Sequence, residues 1–438
     1  MACRARSAAP GLAPTCYPTD GGLAIGTNRL HPTAEPEERA YLVAVELRGG
    51  GGSGRATDRP AMPAGRRWDP QSSLEELALL AETAGACVVG RAVQRLQRPH
   101  PAHYVGSGKL AEIKAERGRT RYTLVVFDDE LTPSQQRNLE NALQVKVLDR
   151  TALILDIFAR RARTREGRLQ VDLAQAQYLL PRLAGQWSHL ERLEGHIGTR
   201  GPGETQLETD RRLVRAKIGR LKKQLEAVRR QRALYRRRRA RTGVPVVALV
   251  GYTNAGKSTL MRALSGADVF VEDLLFATLD PLTRRIVLPG GRRVLLTDTV
   301  GFIQKLPTQL VAAFRATLEE LSEAGLLLHV VDITHPNAAE QSEAVDRTLA
   351  ELEVAGKPRL TVLNKVDRLA CRDGSPLRGL GDLAEYELSL SVHRPDAYLI
   401  SALRGWGLGE VTARIEEVLF EEELSAADRE RPAAGRAG

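Results

Sequence analysis

The sequence predicts an α/β protein of several parts: a small N-terminal parallel-sheet α/β domain, an α-helical hairpin linker, and a larger α/β domain with a mixed sheet. Three observations predict it. Short apolar strands alternate with helical patterns in the first third of the chain. Apolar residues then step by four and three in two runs separated by a glycine-rich break. Beyond residue 243 an apolar strand runs into a glycine-rich loop and a helix, and further motifs sit at the ends of later strands. At 438 residues the chain has room for two or three domains of roughly 100–200 residues each. With 42% hydrophobic, 27% charged and 4% aromatic residues, its cores must rest on Leu, Val, Ala and Ile, and wholesale disorder is excluded.

Residues 1–38 are rich in Ala, Pro, Gly and Thr without periodicity and read as a flexible extension, as does Gly49–Gly54 with the following Pro60 and Pro63. Residues 39–165 carry the first alternation: strand Tyr41–Leu47, helix Ser72–Ala84, strand Cys87–Gln94, a helix from Gly108, strand Thr123–Asp128, helix Pro133–Leu143 and strand Val145–Leu148. Strands separated by helices call for a parallel sheet.

Residues 166–242 follow a heptad rhythm. Leu169, Leu173, Ala176, Leu180, Leu183, Trp187 and Leu190 form one seam, with Pro181 expected to kink it. Val214, Ile218, Leu221, Leu225 and Val228 form the other. Between them Gly195–Glu204 holds four glycines and a proline, which predicts a break and hence an antiparallel hairpin with a glycine-rich tip. The formal charge of +10 is concentrated here. Arg211–Arg241 contains fifteen basic residues and one acid, Glu226, a net +14 that leaves −4 for the remainder. A face that is merely solvated interleaves both signs, and one glutamate cannot pair with fifteen cations, so the stripe predicts contact with a polyanion, nucleic acid first. Candidate RNA contacts are Arg200 in the tip and Arg211, Arg212, Arg215, Arg229, Arg230, Arg236, Arg237, Arg238 and Arg239.

The chemistry is expected in residues 243–423, with 424–438 a flexible tail. Strand Val244–Val250 leads into Gly251, Tyr252, Thr253, Asn254, Ala255, Gly256, Lys257 and Ser258, then helix Thr259–Leu264. In that context a phosphate-binding loop is expected. Backbone N–H groups would curl around the β-phosphate, Lys257 would reach the β/γ-phosphates, and the Ser258 hydroxyl would ligate Mg²⁺. Strand Arg293–Thr297 ends in Asp298, Thr299, Val300 and Gly301, where the aspartate would hold Mg²⁺ through water and the Gly301 N–H would sense the γ-phosphate. Strand Arg359–Leu363 ends in Asn364, Lys365, Val366 and Asp367. A carboxylate at the last position accepts from both N1–H and the 2-amino group of guanine, a pair adenine cannot donate, so GTP and GDP are the expected ligands. Strand Tyr398–Ile400 leads to Ser401, Ala402 and Leu403, whose backbone would touch the base O6. Phe276, Ala277, Thr278, Leu279 and Asp280 form a candidate first switch, with Thr278 completing the Mg²⁺ shell. Lys257, Thr278 and Gly301 are the candidate catalytic residues. Ile286–Leu288 and Val294–Thr297 flank Pro289–Gly291 as a hairpin, which puts one antiparallel edge on the sheet.

Phe302 stands where Ras-like enzymes carry the glutamine that orients the attacking water, so another group must assist hydrolysis. Asn254 resembles the asparagine that coordinates K⁺ in some GTPases of this class; the alternative is an asparagine that shapes the loop.

No apolar run approaches the roughly 18 residues needed to span a bilayer, and the N-terminus lacks the apolar core of a secretory signal. A cytoplasmic monomer is expected. Cys3, Cys16, Cys87 and Cys371 show no metal-ligand spacing and read as free thiols.

These motifs together resemble the HflX-type ribosome-associated GTPases of the Obg/HflX superfamily. The resemblance rests on Gly251–Leu260, Leu275–Pro281, Asp298–Ile303, Leu310–Glu320 and Asn364–Asp367. Its most diagnostic stretch is Ile197–Glu208, and Val105–Lys109 of the first domain joins it. It covers roughly residues 40 to 420. It implies an N-terminal α/β domain, a helical linker and a Ras-like P-loop domain that hydrolyses GTP, binds the large ribosomal subunit and its RNA, and splits stalled or idle ribosomes. An assembly scaffold without splitting activity is the rival reading. Some members bind ATP through the N-domain, but Gly106–Lys109 lacks full phosphate-loop spacing. His196 and Leu282 replace a usual glycine and threonine.

Overall fold

The computed structural model describes residues 37–47, 70–183, 202–241, 243–266, 275–276, 278–305, 321–370, 375, 377, 379 and 397–430. The first α/β unit runs β1 (Arg39–Leu47), α1 (Pro70–Thr83), β2 (Cys87–Leu96), α2 (Ser107–Thr120), β3 (Leu124–Phe127), α3 (Pro133–Leu143), β4 (Lys146–Asp149) and α4 (Arg150–Arg161). Its sheet has the order β2-β1-β3-β4 with every pair parallel. Side chains alternate across β1, so Ala40, Leu42 and Ala44 face one core with α1 and α4, while Tyr41 and Val43 face another with α2 and α3. Helix starts are written locally. Thr132 and Gln135 close a capping box on α3, and the Asp149 carboxylate accepts from Ala152 N at 2.8 Å to start α4.

Among the described residues α5 (Arg165–Leu179) and α6 (Pro202–Arg241) follow. Leu169 and Leu173 of α5 pack on Ile218, Leu221 and Leu225 of α6, part of the seam the heptads predict; Trp187 and Leu190 lie outside the described residues. Helix α5 stops at Leu179, two residues before Pro181, as expected of a residue that lacks the N–H and crowds the carbonyl four residues back; the continuation that Pro181 is expected to kink lies outside the described residues. At the other side of the expected break Pro202, Gly203 and Glu204 are already helical, because proline is harmless at a first helical position. His196 and Arg200 lie outside the described residues.

The second unit runs β5 (Val246–Gly251), α7 (Lys257–Ser265), β6 (Leu282–Val287), β7 (Arg293–Asp298), β8 (Leu326–Asp332), α8 (Ala338–Glu351), β9 (Arg359–Asn364), β10 (Ala397–Leu399) and α9 (Leu408–Glu430). Its sheet order is β10-β9-β8-β5-β7-β6, antiparallel only between β6 and β7. The sheet is therefore mixed, with the one antiparallel edge expected. On one face Val247, Leu249 and Leu328 pack with α7 and α9; on the other Ala248, Val250 and Leu327 join the α1/α4 core. Helix α9 departs from helical geometry at Phe420 and continues to Glu430, so the expected tail from residue 424 begins as helix.

Candidate active site

The phosphate loop leaves β5 at Gly251 (φ +152°) and enters α7 through Gly256 (φ +94°). A Cβ at Gly251 would strike the Val330 carbonyl, and one at Gly256 would strike the Asn364 amide, so both positions demand glycine for space as well as conformation. Asn254 is exposed and left-handed at φ +59°, a conformation asparagine tolerates. Lys257, the first residue of α7, is buried and donates to Gly251 O at 3.1 Å and Tyr252 O at 2.7 Å. Burial pulls its pKa down to about 8, against the opposing pull of Asp298.

Three oxygens converge beside it. Ser258 Oγ donates to Asp298 Oδ2 at 2.7 Å, Thr278 Oγ1 donates to the same atom at 3.1 Å, and the two hydroxyls lie 2.8 Å apart. Asp298 is buried, its Oδ1 has no hydrogen-bond partner among the described residues, and burial drives its carboxyl upward from the usual range. An orphaned buried carboxylate oxygen beside two hydroxyls is a donor set suited to a hard divalent cation.

The segment after Asp298 folds against the phosphate loop. Thr299 Oγ1 donates to Leu249 O at 2.6 Å, Phe302 N donates to Gly251 O at 3.1 Å, and Thr253 N donates to Phe302 O at 2.7 Å. A Cβ at Gly301 would lie 2.8 Å from Thr253 Cα and 3.0 Å from Lys257 Nζ, so only glycine lets this backbone approach the lysine. The Phe302 side chain is buried in the core with Val300 and is in no position to orient water.

A cavity of about 200 Å³ lies beside α7, lined by residues that include Asn254, Asn364, Lys365, Asp367, Ala402 and Leu403. Asn364 fastens it: its amide donates to Ala255 O at 2.9 Å and its carbonyl accepts from Ala402 N at 3.0 Å. Ser401 Oγ donates to Asp367 Oδ1 at 2.6 Å, which aims the carboxylate, and Lys365 pairs with Asp332 at 2.7 Å. Val366 is fully buried and only shapes the turn. Thr259, Arg262 and Arg368 also line the cavity; of these only Thr259 falls within a motif, Gly251–Leu260.

Other predicted residues point elsewhere. Tyr252 is buried, its hydroxyl donating to Glu76 of α1 and accepting from Gln304 N at 2.8 Å. Glu76 pairs with the buried Arg150, which also pairs with Asp128 at 2.7 Å. Lys305 bridges Asp128 at 2.5 Å and Asp129 at 2.6 Å. Phe276 packs edge-on to Phe158 of α4, ring centroids 4.6 Å apart, and Leu279 is in the same core. The Asp280 carboxylate accepts from Arg163 N at 2.9 Å and Thr164 N at 2.8 Å, and from the Thr164 hydroxyl. Ala277 lies outside the described residues. These long-range contacts have no local sequence signal.

On α6, Arg212, Arg215 and Arg230 are exposed and Arg211 and Arg229 half-buried. Arg230 reaches Glu226 at 3.6 Å, and Arg232 pairs with Glu166 of α5 at 2.6 Å. One cation of the stripe therefore braces the hairpin. The side chains of Arg236, Arg237, Arg238 and Arg239 lie outside the described residues. No helix among the described residues is long and apolar enough to cross a membrane.

Family models match in chain order. They are a GTP-binding GTPase N-terminal domain over 71–159, a GTP-binding GTPase middle region over 161–239, and a 50S ribosome-binding GTPase over 246–365. The chain is 51% identical over 354 residues to GTPase HflX of Caldanaerobacter subterraneus subsp. tengcongensis, covering 81% of this chain and 78% of that one. It is 45% identical over 363 residues to GTPase HflX of Escherichia coli K12, covering 83% of each. A solved GTP-binding protein from Sulfolobus solfataricus in complex with GDP aligns at 25% identity and a TM-score of 0.42, over 88% of this chain and 99% of that chain.

Proposed function

The chain belongs to the HflX family of GTPases and is a GTP hydrolase, and from that premise we propose that it is a GTP-driven switch on the large ribosomal subunit that splits stalled or idle ribosomes. The observation that carries this reading is α6, a helix of 40 residues and roughly 60 Å, whose exposed arginines have a single acidic neighbour on their own helix between Arg211 and Arg241. Arginine forks on a rigid rod suit the phosphates of folded RNA, and the name of the family model over 246–365 supports the same partner.

In this reading GDP and GTP occupy the loop Gly251–Ser258, with guanine in the cavity against Asp367. Ser258 and Thr278 would hold Mg²⁺, and Asp298 accepts a hydrogen bond from each of their hydroxyls. When bound, Mg²⁺ offsets negative charge on the phosphate oxygens. Lys257 gives up its bonds to Gly251 O and Tyr252 O to meet that charge, and the Gly301 amide faces the same phosphate. With Phe302 buried, Asn254 is the residue we assign to K⁺, since it is exposed in the phosphate loop and lines the cavity; equal turnover in KCl and NaCl would reject that role and leave an asparagine that shapes the loop.

The test is sedimentation of intact ribosomes after addition of the protein with a non-hydrolysable GTP analogue. Conversion to subunits is the expected result. Undiminished intact particles, with binding to free large subunits retained, would favour an assembly scaffold.

A further inference from the structure

Asp280 follows the candidate switch threonine by two residues, yet its carboxylate faces away from the phosphate loop. Oδ2 accepts both the Arg163 and Thr164 amides, and Oδ1 accepts the Thr164 hydroxyl. That hydroxyl in turn accepts from Gly167 N at 3.0 Å as the N-cap of α5. The Thr164 oxygen thus has its one donor on Asp280 and an acceptor site on the helix, and an aspartate beside a helix N-terminus also gains from the aligned peptide dipoles. The fit is close. A Cβ at Gly167 would run into Asp280 Oδ1 and lie 3.2 Å from Thr164 Oγ1.

The other end of the same segment is also fastened. Phe276 N donates to Thr253 Oγ1 at 3.0 Å and the Phe276 ring is locked on Phe158. Leu279 is 2% exposed. Thr278 therefore hangs between two anchors, one on the phosphate loop and one on the cap of the hairpin helix. Two residues extend no more than about 7 Å, so Asp280 cannot leave the cap without dragging Thr278 from Ser258 and Asp298.

We propose that Asp280 is a positioning residue for GTP hydrolysis: it latches the Thr278 segment to the N-terminal cap of the hairpin helix, so that turnover depends on Thr164 and Gly167. Neither of those two residues makes a described contact with the phosphate loop. Misplacing a reacting group by an ångström costs up to about a hundredfold, and loss of the latch is expected to lower kcat about tenfold. The proposal rests on the assignment of Thr278 to the GTP site and not on any ribosomal role.

The full-length protein tests it. D280A, T164V and G167A should each lower single-turnover GTP hydrolysis about tenfold with KM for GTP within about twofold of wild type. T164S, which keeps the hydroxyl, should restore it. D280A combined with T164V should be no slower than either alone. Hydrogen exchange at the Arg163 and Thr164 amides should differ between GTP-analogue and GDP forms in wild type and lose that difference in D280A. Normal kcat in T164V overturns the latch, even where G167A is too unstable to read. A raised KM with unchanged kcat in D280A overturns it in favour of a direct nucleotide ligand. If T278A is slow while D280A is normal, the latch alone fails; if T278A itself turns over normally, the site assignment fails and takes the proposal with it.

Discussion

Among the described residues Arg150 is the largest side chain that the fold buries fully, and it survives there because Glu76 and Asp128 meet it from two sides. Burial still lowers its pKa to about 10. Removing one partner of such a cluster strands the others, so Arg150→Met is expected to cost about 3–5 kcal/mol in urea unfolding. In the base cavity the expected losses are functional. Ser401→Ala frees the Asp367 carboxylate from one hydrogen bond and is expected to weaken GDP and GTP alike by about fivefold, near 1 kcal/mol, in equilibrium titration. Asp367→Asn reverses the donor pattern offered to the base, so kcat/KM for GTP should fall by 10³ or more while xanthosine triphosphate becomes the better substrate. Lys257→Ala should lower kcat/KM by about 10²–10³. The placement of Lys257, Ser258, Asp298 and Asn364 at the ends of β5, β7 and β9 was legible in the sequence because each sits at a short, fixed spacing from an apolar strand. Asp280 was legible only as a neighbour of Thr278, since its partner Thr164 stands 116 positions earlier.

The helices and strands were readable to the degree that one local pattern dominated. The seam between α5 and α6 was, because Leu169, Leu173, Ile218, Leu221 and Leu225 keep a 3.5-residue period over both helices. Its ends were not: α5 stops just before Pro181 while Pro202 is the first residue of α6, and only the position relative to the first turn separates the two outcomes. Strand β8 escaped for a different reason. Leu326–Val331 is buried on both faces and shows neither helical nor alternating periodicity. The seam is a small satellite core, so Leu221→Ala is expected to cost about 2–3 kcal/mol locally. Faster amide exchange along α6 with GTP turnover kept near wild type is the expected signature.

Across the whole molecule the charge of +10 acts through α6. If its arginines meet RNA phosphates, Arg212→Gln with Arg215→Gln should make the log–log salt dependence of large-subunit binding shallower by about two, at roughly 0.9 per phosphate contact on a duplex. The three parts seen in the sequence are less separable than their spacing suggests. Leu74, Leu77, Ile154 and Phe158 of the first unit share one core with Tyr252, Phe276, Phe302 and Ile303 of the second. A fragment starting at residue 243 would bare that surface and is expected to aggregate. The shared core also sets a clock on synthesis. Phe158 and Phe276 are roughly 120 residues apart in the chain, and at about 5–20 residues per second the apolar flank of α1 and α4 waits some 6–24 s for its cover to be translated. The nascent chain thus passes through an interval in which a chaperone has something to hold, and the interval closes when the segment holding Phe276 is made.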